Sequence, residues 1–367
     1  MSAQGSPARP ACAAARRVVV KLGSRTLAAD ATVYERLATA IAAALAEGRS
    51  VVLVSSGAIA LGTKKLGFGG RPREMAKLQA AAAAGQSLLM RAYEEAFGAL
   101  GVPVAQVLLT HADLADRVRG NNARAALGAL LDAGAVPILN ENDSVAVDEI
   151  KFGDNDQLAA MVTPLVDADL LILLSDIEGL LDADGKRISV VEDAADAVKY
   201  VRPSKSDVGT GGMGSKLEAA RRATLAGAHA IVADARAPGI LEAVLAGNDV
   251  GTHFVAARDR LSARKHWIAF TLRPRGDVVL DRGAAEAVRT KGKSVLSIGV
   301  LGIRGDFRPG DAVRILDHEA HEIGRGLARC TSGDAVLVAG KAKDDLPEAR
   351  AGLAELVHRD DMVIWKS

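Results

Sequence analysis

Val136-Pro137-Ile138-Leu139-Asn140-Glu141-Asn142-Asp143 changes character halfway: four apolar residues, then four acids and amides. The apolar half reads as a buried strand and the polar half as the loop at its C-terminal end. In open α/β sheets such loops are where ligands bind. A second tetrapeptide, Gly153-Asp154-Asn155-Asp156, follows after a hairpin-like link over 144–152, and the pair holds four Asp or Glu and three Asn. Polar groups so concentrated are costly in a core unless each has a partner. An isolated cluster of this kind would read as a solvated loop. At the lip of a buried strand it suits a small ligand carrying an ammonium group.

Outward from this stretch, short β-branched runs alternate with Ala/Leu-rich amphipathic segments from Val18 to about Ala257. Strands are predicted over 18–22, 51–55, 104–109, 136–140, 170–175 and 230–233. Helices are predicted over 32–47, 73–100, 121–133, 157–166 and 215–226. This alternation gives an α/β domain, with a mostly parallel sheet between two helical layers. Gly48, Gly101, Gly134 and Gly227 sit just past four of the helical segments, where a left-handed C-cap residue is wanted. After Arg258 the texture changes. Strand-like runs at 278–280, 295–300, 312–316, 322–328 and 335–338, separated by turn signals such as Arg308-Pro309-Gly310, read as a small β-rich barrel or sandwich. The expected division is a disordered tail over 1–17, an α/β domain over 18–257, a linker over 258–275, a β-rich domain over 276–354 and a C-terminal tail over 355–367.

At 367 residues the chain is long enough for more than one domain. Lys and Arg number 46 against 45 Asp and Glu, so no global field draws in nucleic acid or an anionic membrane. The two cysteines, Cys12 and Cys330, are far apart and fit a reducing compartment, the cytoplasm, better than a disulfide framework. No apolar run reaches the roughly 18 residues of a membrane span, so no membrane association is expected.

Three further motifs carry charge or hydrogen-bonding groups to predicted strand ends. Lys21 closes the first strand before Gly23, where an ammonium can be aimed at a ligand; taken alone it fits a surface lysine as well. Ser55-Ser56-Gly57 leads from the second strand into small residues and exposes the N–H groups of a helix start, a natural anion site and equally an ordinary N-cap. Thr210-Gly211-Gly212-Met213-Gly214-Ser215-Lys216 opens a helix with clustered glycines and a lysine, which favours phosphate over a merely flexible turn. It matches neither the Walker A spacing nor G-x-G-x-x-G. Ser175-Asp176 ends the fifth strand and suits a ribose or adenine edge, or an Asx turn. Two lysines and two Gly-rich turns aimed at one sheet edge describe a phosphoryl-transfer site. No histidine lies among these motifs, and an acceptor that is already an anion, a carboxylate, needs no general base.

Together these motifs, with Asn140–Asp143 and Gly153–Asp156, closely resemble the glutamate 5-kinase branch of the amino acid kinase family. The C-terminal part resembles a PUA domain. The resemblance implies the amino acid kinase fold and ATP-dependent phosphorylation of the L-glutamate side-chain carboxylate, the first step of proline biosynthesis. It further implies Mg²⁺ with ATP, proline as feedback inhibitor, a homo-oligomer and a cytoplasmic setting. Position by position, it implies that Lys21 and Lys216 stabilise the transferring phosphoryl group and that Asp156 orients them. Ser56, Asp143 and Asn155 would bind glutamate. Lys21, Ser175, Asp176, Thr210, Gly211, Gly212, Met213, Gly214, Ser215 and Lys216 would bind ATP. No metal ligand is assigned. Leu181 stands where the family often has an aromatic residue.

Two other readings compete. One is a sibling kinase acting on acetylglutamate, aspartate or carbamate, against which the C-terminal domain and Gly153–Asp156 argue. The other is a non-catalytic RNA-binding protein using the PUA-like part. Residues 276–354 hold 12 Lys and Arg and 12 Asp and Glu, so the segment's charge lends RNA binding no support.

Overall fold

The computed structural model describes residues 8–29, 32–146, 155–200 and 212–365. The chain divides into two compact units, one ending at Arg260 and the other starting at Leu261. Each is described by itself.

In the first unit the predicted alternation produces an eight-stranded sheet. Its strands are β1 (Arg17–Leu22), β2 (Ser50–Ser55), β3 (Val104–Leu109), β4 (Val136–Glu141), β5 (Leu170–Ser175), β6 (Val190–Val191), β7 (His229–Asp234) and β8 (Thr252–Phe254). The spatial order is β3-β4-β2-β1-β5-β7-β8-β6, and every pairing is parallel except that of β7 with β8. β1 lies between β2 and β5, so the strand order reverses there. A crevice outside the strand C-termini opens at such a switch point.

Short helices α1 (Pro10–Ala14) and α2 (Ser24–Ala29) precede α3 (Val33–Ala46), α4 (Ala58–Lys65) and α5 (Met75–Gly98). Then come α6 (His111–Ala115), α7 (Arg117–Asp132), α8 (Asn155–Leu165), α9 (Met213–Ala226) and α10 (Ile240–Leu245). Period-two alternation divides each strand between two cores. Val18, Val20 and Leu22 of β1 pack with Ile41 of α3 and Tyr93 of α5, whereas Val19 packs with Leu158 of α8 and Leu217 of α9. Lys21, two residues beyond Val19, therefore falls on the α8/α9 face. α4 and α5 touch backbone to backbone: a Cβ on Gly62 would lie 1.7 Å from the Ala81 carbonyl oxygen, and one on Gly85 1.7 Å from that of Ala58.

The N-terminal segment differs from the disordered tail that its Ala, Pro and Ser content suggests. From residue 8 it is folded, with α1 in place and Arg9 only 4 % exposed. The Arg9 guanidinium binds Asp249 at 2.5 Å and donates to the Ser189 carbonyl at 2.9 Å. One multiply bonded arginine holds a segment that composition alone would leave loose.

The second unit has its own apolar core, containing Val278, Leu280, Phe307, Val313 and Val357. Its five-stranded sheet runs β11 (Val300–Gly305), β9 (Gly276–Leu280), β12 (Ala312–Leu316), β13 (Glu322–Leu327) and β15 (Met362–Ile364). β10 (Val295–Leu296) pairs with β14 (Glu355–Val357) beside it. The unit also holds α11 (Ala263–His266), α12 (Arg282–Lys291) and α13 (Ser332–Val338). The last of these covers the run 335–338 that reads as a strand. Thr331 caps it by accepting from the Asp334 N–H, and a four-residue apolar run cannot by itself distinguish helix from strand. The expected linker and tail are likewise part of the fold: Phe270 stacks on Trp365, and β15 completes the sheet.

Candidate active site

The first turns of α8 and α9 bring Asp156 and Lys216 to the face on which Lys21 ends β1. Asp156 accepts Lys21 Nζ at 2.5 Å on Oδ1 and Lys216 Nζ at 3.1 Å on Oδ2. All three side chains are nearly or wholly buried, Asp156 at 0 % exposure. Burial alone would push the Asp156 carboxyl up, but the two ammoniums outweigh it and hold the group below the usual carboxylate range. One buried carboxylate thus holds two buried ammoniums side by side, an arrangement to which an incoming anion is drawn. Ser215 Oγ also reaches Asp156 at 3.4 Å.

A second cluster adjoins the first through the chain itself, because Asn155 precedes Asp156. The Asn155 amide donates to the Ser55 carbonyl at 2.8 Å, to Ser56 Oγ at 2.8 Å and to Asn140 Oδ1 at 2.9 Å. One side chain thus joins the ends of β2 and β4. Ser56 and Gly57 form the turn into α4, with Gly57 at a φ of 102° that favours glycine. Behind the turn, the Ser55 hydroxyl lies 2.7 Å from the hydroxyl of Tyr93, which is wholly buried on α5. Ser55 donates to the Ser56 carbonyl, so Tyr93 is the donor to Ser55. Burial pushes the Tyr93 phenol up. Asp143 sits half-buried in the turn after β4.

The third cluster ends β5 and β7. Ser175 alternates with Leu171 and Leu173 onto the α8/α9 face. Its hydroxyl donates to Asp176 Oδ1 at 3.1 Å. Asp176 pairs with Arg25 at 2.9 Å, and its carbonyl accepts from Arg236 at 2.9 Å. Burial raises the Asp176 carboxyl, but hydrogen bonds led by that from Arg25 bring it net below its ordinary value. Gly212 caps α9, whose first residues are Met213, Gly214, Ser215 and Lys216. Leu181 is 43 % exposed nearby in sequence.

The structure therefore brings Lys21, Asp156 and Lys216 into direct contact, places Ser56 against Asn155, and puts Ser175 beside Asp176. Gly153, Asp154, Thr210 and Gly211 lie outside the described residues. Tyr93, Arg25 and Arg236 were not singled out by their sequence patterns. Tyr93 occupies an apolar-face position of a helix, where an aromatic residue signals core. Asn140 stands in a quoted motif, yet its partnership with Asn155 depends on two elements meeting.

Residues 16–234 match the model of the amino acid kinase family, and residues 276–348 that of the PUA domain. A glutamate 5-kinase of Myxococcus xanthus is 47 % identical over 98 % of this chain and 99 % of its own length. Glutamate 5-kinases of Geobacter metallireducens and Thermus thermophilus are 45 % and 46 % identical, each over 95 % of this chain and 97 % of theirs. The solved carbamate kinase from Giardia lamblia bound to AMP-PNP superimposes with a TM-score of 0.48 at 17 % identity, covering 66 % of this chain and 99 % of that one. By the family model and by these full-length relatives, the chain belongs to the amino acid kinase family.

Proposed function

We infer that the chain phosphorylates the side-chain carboxylate of L-glutamate with ATP, giving L-glutamyl 5-phosphate and ADP, the first step of proline biosynthesis. The observation that carries this reading is the buried Lys21–Asp156–Lys216 triad, in a chain 43–47 % identical to glutamate 5-kinases along nearly its whole length. A carboxylate oxygen of glutamate attacks the γ-phosphorus. The bond from that phosphorus to the β–γ bridging oxygen breaks, and its electron pair leaves with ADP. No proton moves, which suits a site without a histidine. Lys21 and Lys216 stabilise charge on the transferring group, and Asp156 holds both ammoniums apart and aimed.

Ser56, Asp143 and Asn155 are assigned to glutamate. Asn155 uses its amide N–H groups on the protein, so its carbonyl oxygen is left to accept, as an α-ammonium requires. Ser56 Oγ accepts from Asn155 and has its proton left to donate, as a carboxylate requires. Ser175, Asp176 and the segment Thr210–Lys216 are assigned to ATP.

Among the described residues no group of three or more His, Cys, Asp or Glu is placed to hold a metal ion. That fits Mg²⁺ arriving with ATP, since this ion keeps waters and substrate phosphates among its ligands and needs few from the protein. When bound it neutralises phosphate charge. Proline as feedback inhibitor, a homo-oligomer and a cytoplasmic setting accompany the proposal; no described helix is long and apolar enough to cross a membrane.

The test is ADP release across glutamate, acetylglutamate, aspartate and bicarbonate with ammonia, with hydroxylamine trapping any acyl phosphate. Glutamate alone should give rapid release and a hydroxamate. Faster turnover of another acceptor would assign the site to that acceptor.

A further inference from the structure

The ends of β5 and β7 are tied together beyond the point where their ladder stops. The last paired residues are Ser175 and Asp234, followed by one more bond, from the Ala235 N–H to the Ser175 carbonyl at 2.7 Å. Past it stands Arg236. Its guanidinium donates to Asp234 twice, from Nε to Oδ1 at 2.8 Å and from Nη2 to Oδ2 at 2.7 Å. The same Nη2 donates to the Asp176 carbonyl at 2.9 Å. On the other side, Arg25 of α2 donates to Asp176 Oδ2 at 2.9 Å, and the Ser175 hydroxyl donates to Oδ1 at 3.1 Å.

Fold stability does not account for Arg236. β5 and β7 already pair along their whole length and every residue of β5 is buried, so an arginine largely in solvent adds little to the ladder. What the arginine does fix is the first residue after the ladder, Asp176. A guanidinium gripped by one carboxylate has its plane set, and with it the direction of its remaining donors. The residue it holds is an acceptor. The Asp176 carboxyl, net below its ordinary value, is ionised at neutral pH. Of its roughly four lone-pair sites, Arg25 and Ser175 take one each. The others can accept from hydroxyls. Two arginines against two aspartates give the cluster no net charge with which to draw a phosphate.

We propose that Arg236 is a positioning residue for the nucleotide: it holds the end of β5 so that the Asp176 carboxylate meets the ribose hydroxyls of ATP. Arg25 is a second, weaker brace, because its pair with Asp176 is largely exposed. The inference rests on the assignment of Ser175 and Asp176 to ATP and does not depend on the phosphoryl acceptor. Lysine cannot replace Arg236, since an ammonium lacks the planar fork that spans Asp234 and the Asp176 carbonyl.

ATP and 2′,3′-dideoxy-ATP, each with Mg²⁺ and without acceptor, are titrated calorimetrically into the full-length chain as wild type, Arg236→Ala, Arg236→Lys and Arg25→Ala. Wild type should bind ATP at least about tenfold more tightly than the dideoxy analogue, as loss of hydrogen bonds to a charged group predicts. Arg236→Ala should weaken ATP binding roughly three- to tenfold, while the analogue's affinity and the Tm stay close to wild type. Arg236→Lys should not restore ATP binding, and Arg25→Ala should cost about twofold. The proposal is overturned if Arg236→Ala binds ATP as tightly as wild type, or loses ATP and the analogue by the same factor. These ratios in a chain that releases no ADP with glutamate would overturn the substrate assignment and leave Arg236 in its role. A wild type that binds no ATP would overturn both.

Discussion

Asp156 joins Lys21 and Lys216 through its two carboxylate oxygens, at 2.5 and 3.1 Å. The arrangement fixes two charges that the separate strand and helix motifs could only point toward. Removing either charge should act where negative charge shifts toward the leaving oxygen. Lys21→Ala and Lys216→Ala should each lower kcat by roughly 10²–10³, the usual loss for one electrostatic contact to the transition state. Steady-state kinetics at saturating ATP and glutamate check this. A variant with wild-type kcat and only a raised glutamate KM would remove that lysine from the chemistry.

Tyr93 supports the Ser55–Ser56–Gly57 turn from behind through one buried hydrogen bond. Tyr93→Phe keeps the ring and deletes the donor. Losing a hydrogen bond of this kind is worth about 0.5–1.5 kcal/mol, so the glutamate KM should rise several-fold while the ATP KM and kcat hold. An unchanged glutamate KM beside a lowered Tm would make Tyr93 a packing residue only.

Acetylation of glutamate removes the ammonium that the proposal gives to Asp143 and the neighbouring amides. A site built around a polar contact rejects analogues lacking it by as much as roughly 10⁴–10⁵. N-acetylglutamate should therefore be a very poor substrate, and Asp143→Ala should raise the glutamate KM and narrow the gap between the two. Equal kcat/KM for both substrates in the wild type would move the activity to a sibling kinase.

His229 and His253 share a 2.9 Å hydrogen bond between ring nitrogens, and His229 Nδ1 also accepts from the Ala256 N–H. His253 Nε2 is accordingly the donor, and both rings are neutral. Burial depresses His253 to about 4. A histidine depressed in the fold binds its proton more readily when unfolded. Its contribution to stability is present above the unfolded value of roughly 6.5 and is lost as pH falls toward the folded one. Thermal unfolding from pH 7.5 to 5 should show a steeper fall in Tm for the wild type than for His253→Leu. Parallel curves would contradict a neutral pair.

The α/β alternation was legible because strand and helix periods differ and because glycines mark the helix ends. The site tetrapeptides were legible because polar residues follow apolar strands. Patterns of this kind are local. Two features were not local and could not be read: Arg9 holding α1 to residues nearly the length of the first unit away, and Tyr93 meeting Ser55 across two elements. The strand expected at 335–338 failed because an N-cap, Thr331, outweighed β-propensity in a run too short to show a period.

The central claim is that a glutamate carboxylate oxygen attacks the γ-phosphorus. Glutamate carrying ¹⁸O in its side-chain carboxylate should be turned over with ATP in the presence of hydroxylamine, and the released phosphate examined by ³¹P NMR. Hydroxylamine cleaves the acyl carbon–oxygen bond, so the account predicts inorganic phosphate carrying one ¹⁸O for each hydroxamate formed. Unlabelled phosphate, matched by ADP release without hydroxamate, would mean that water is the acceptor and would contradict the account.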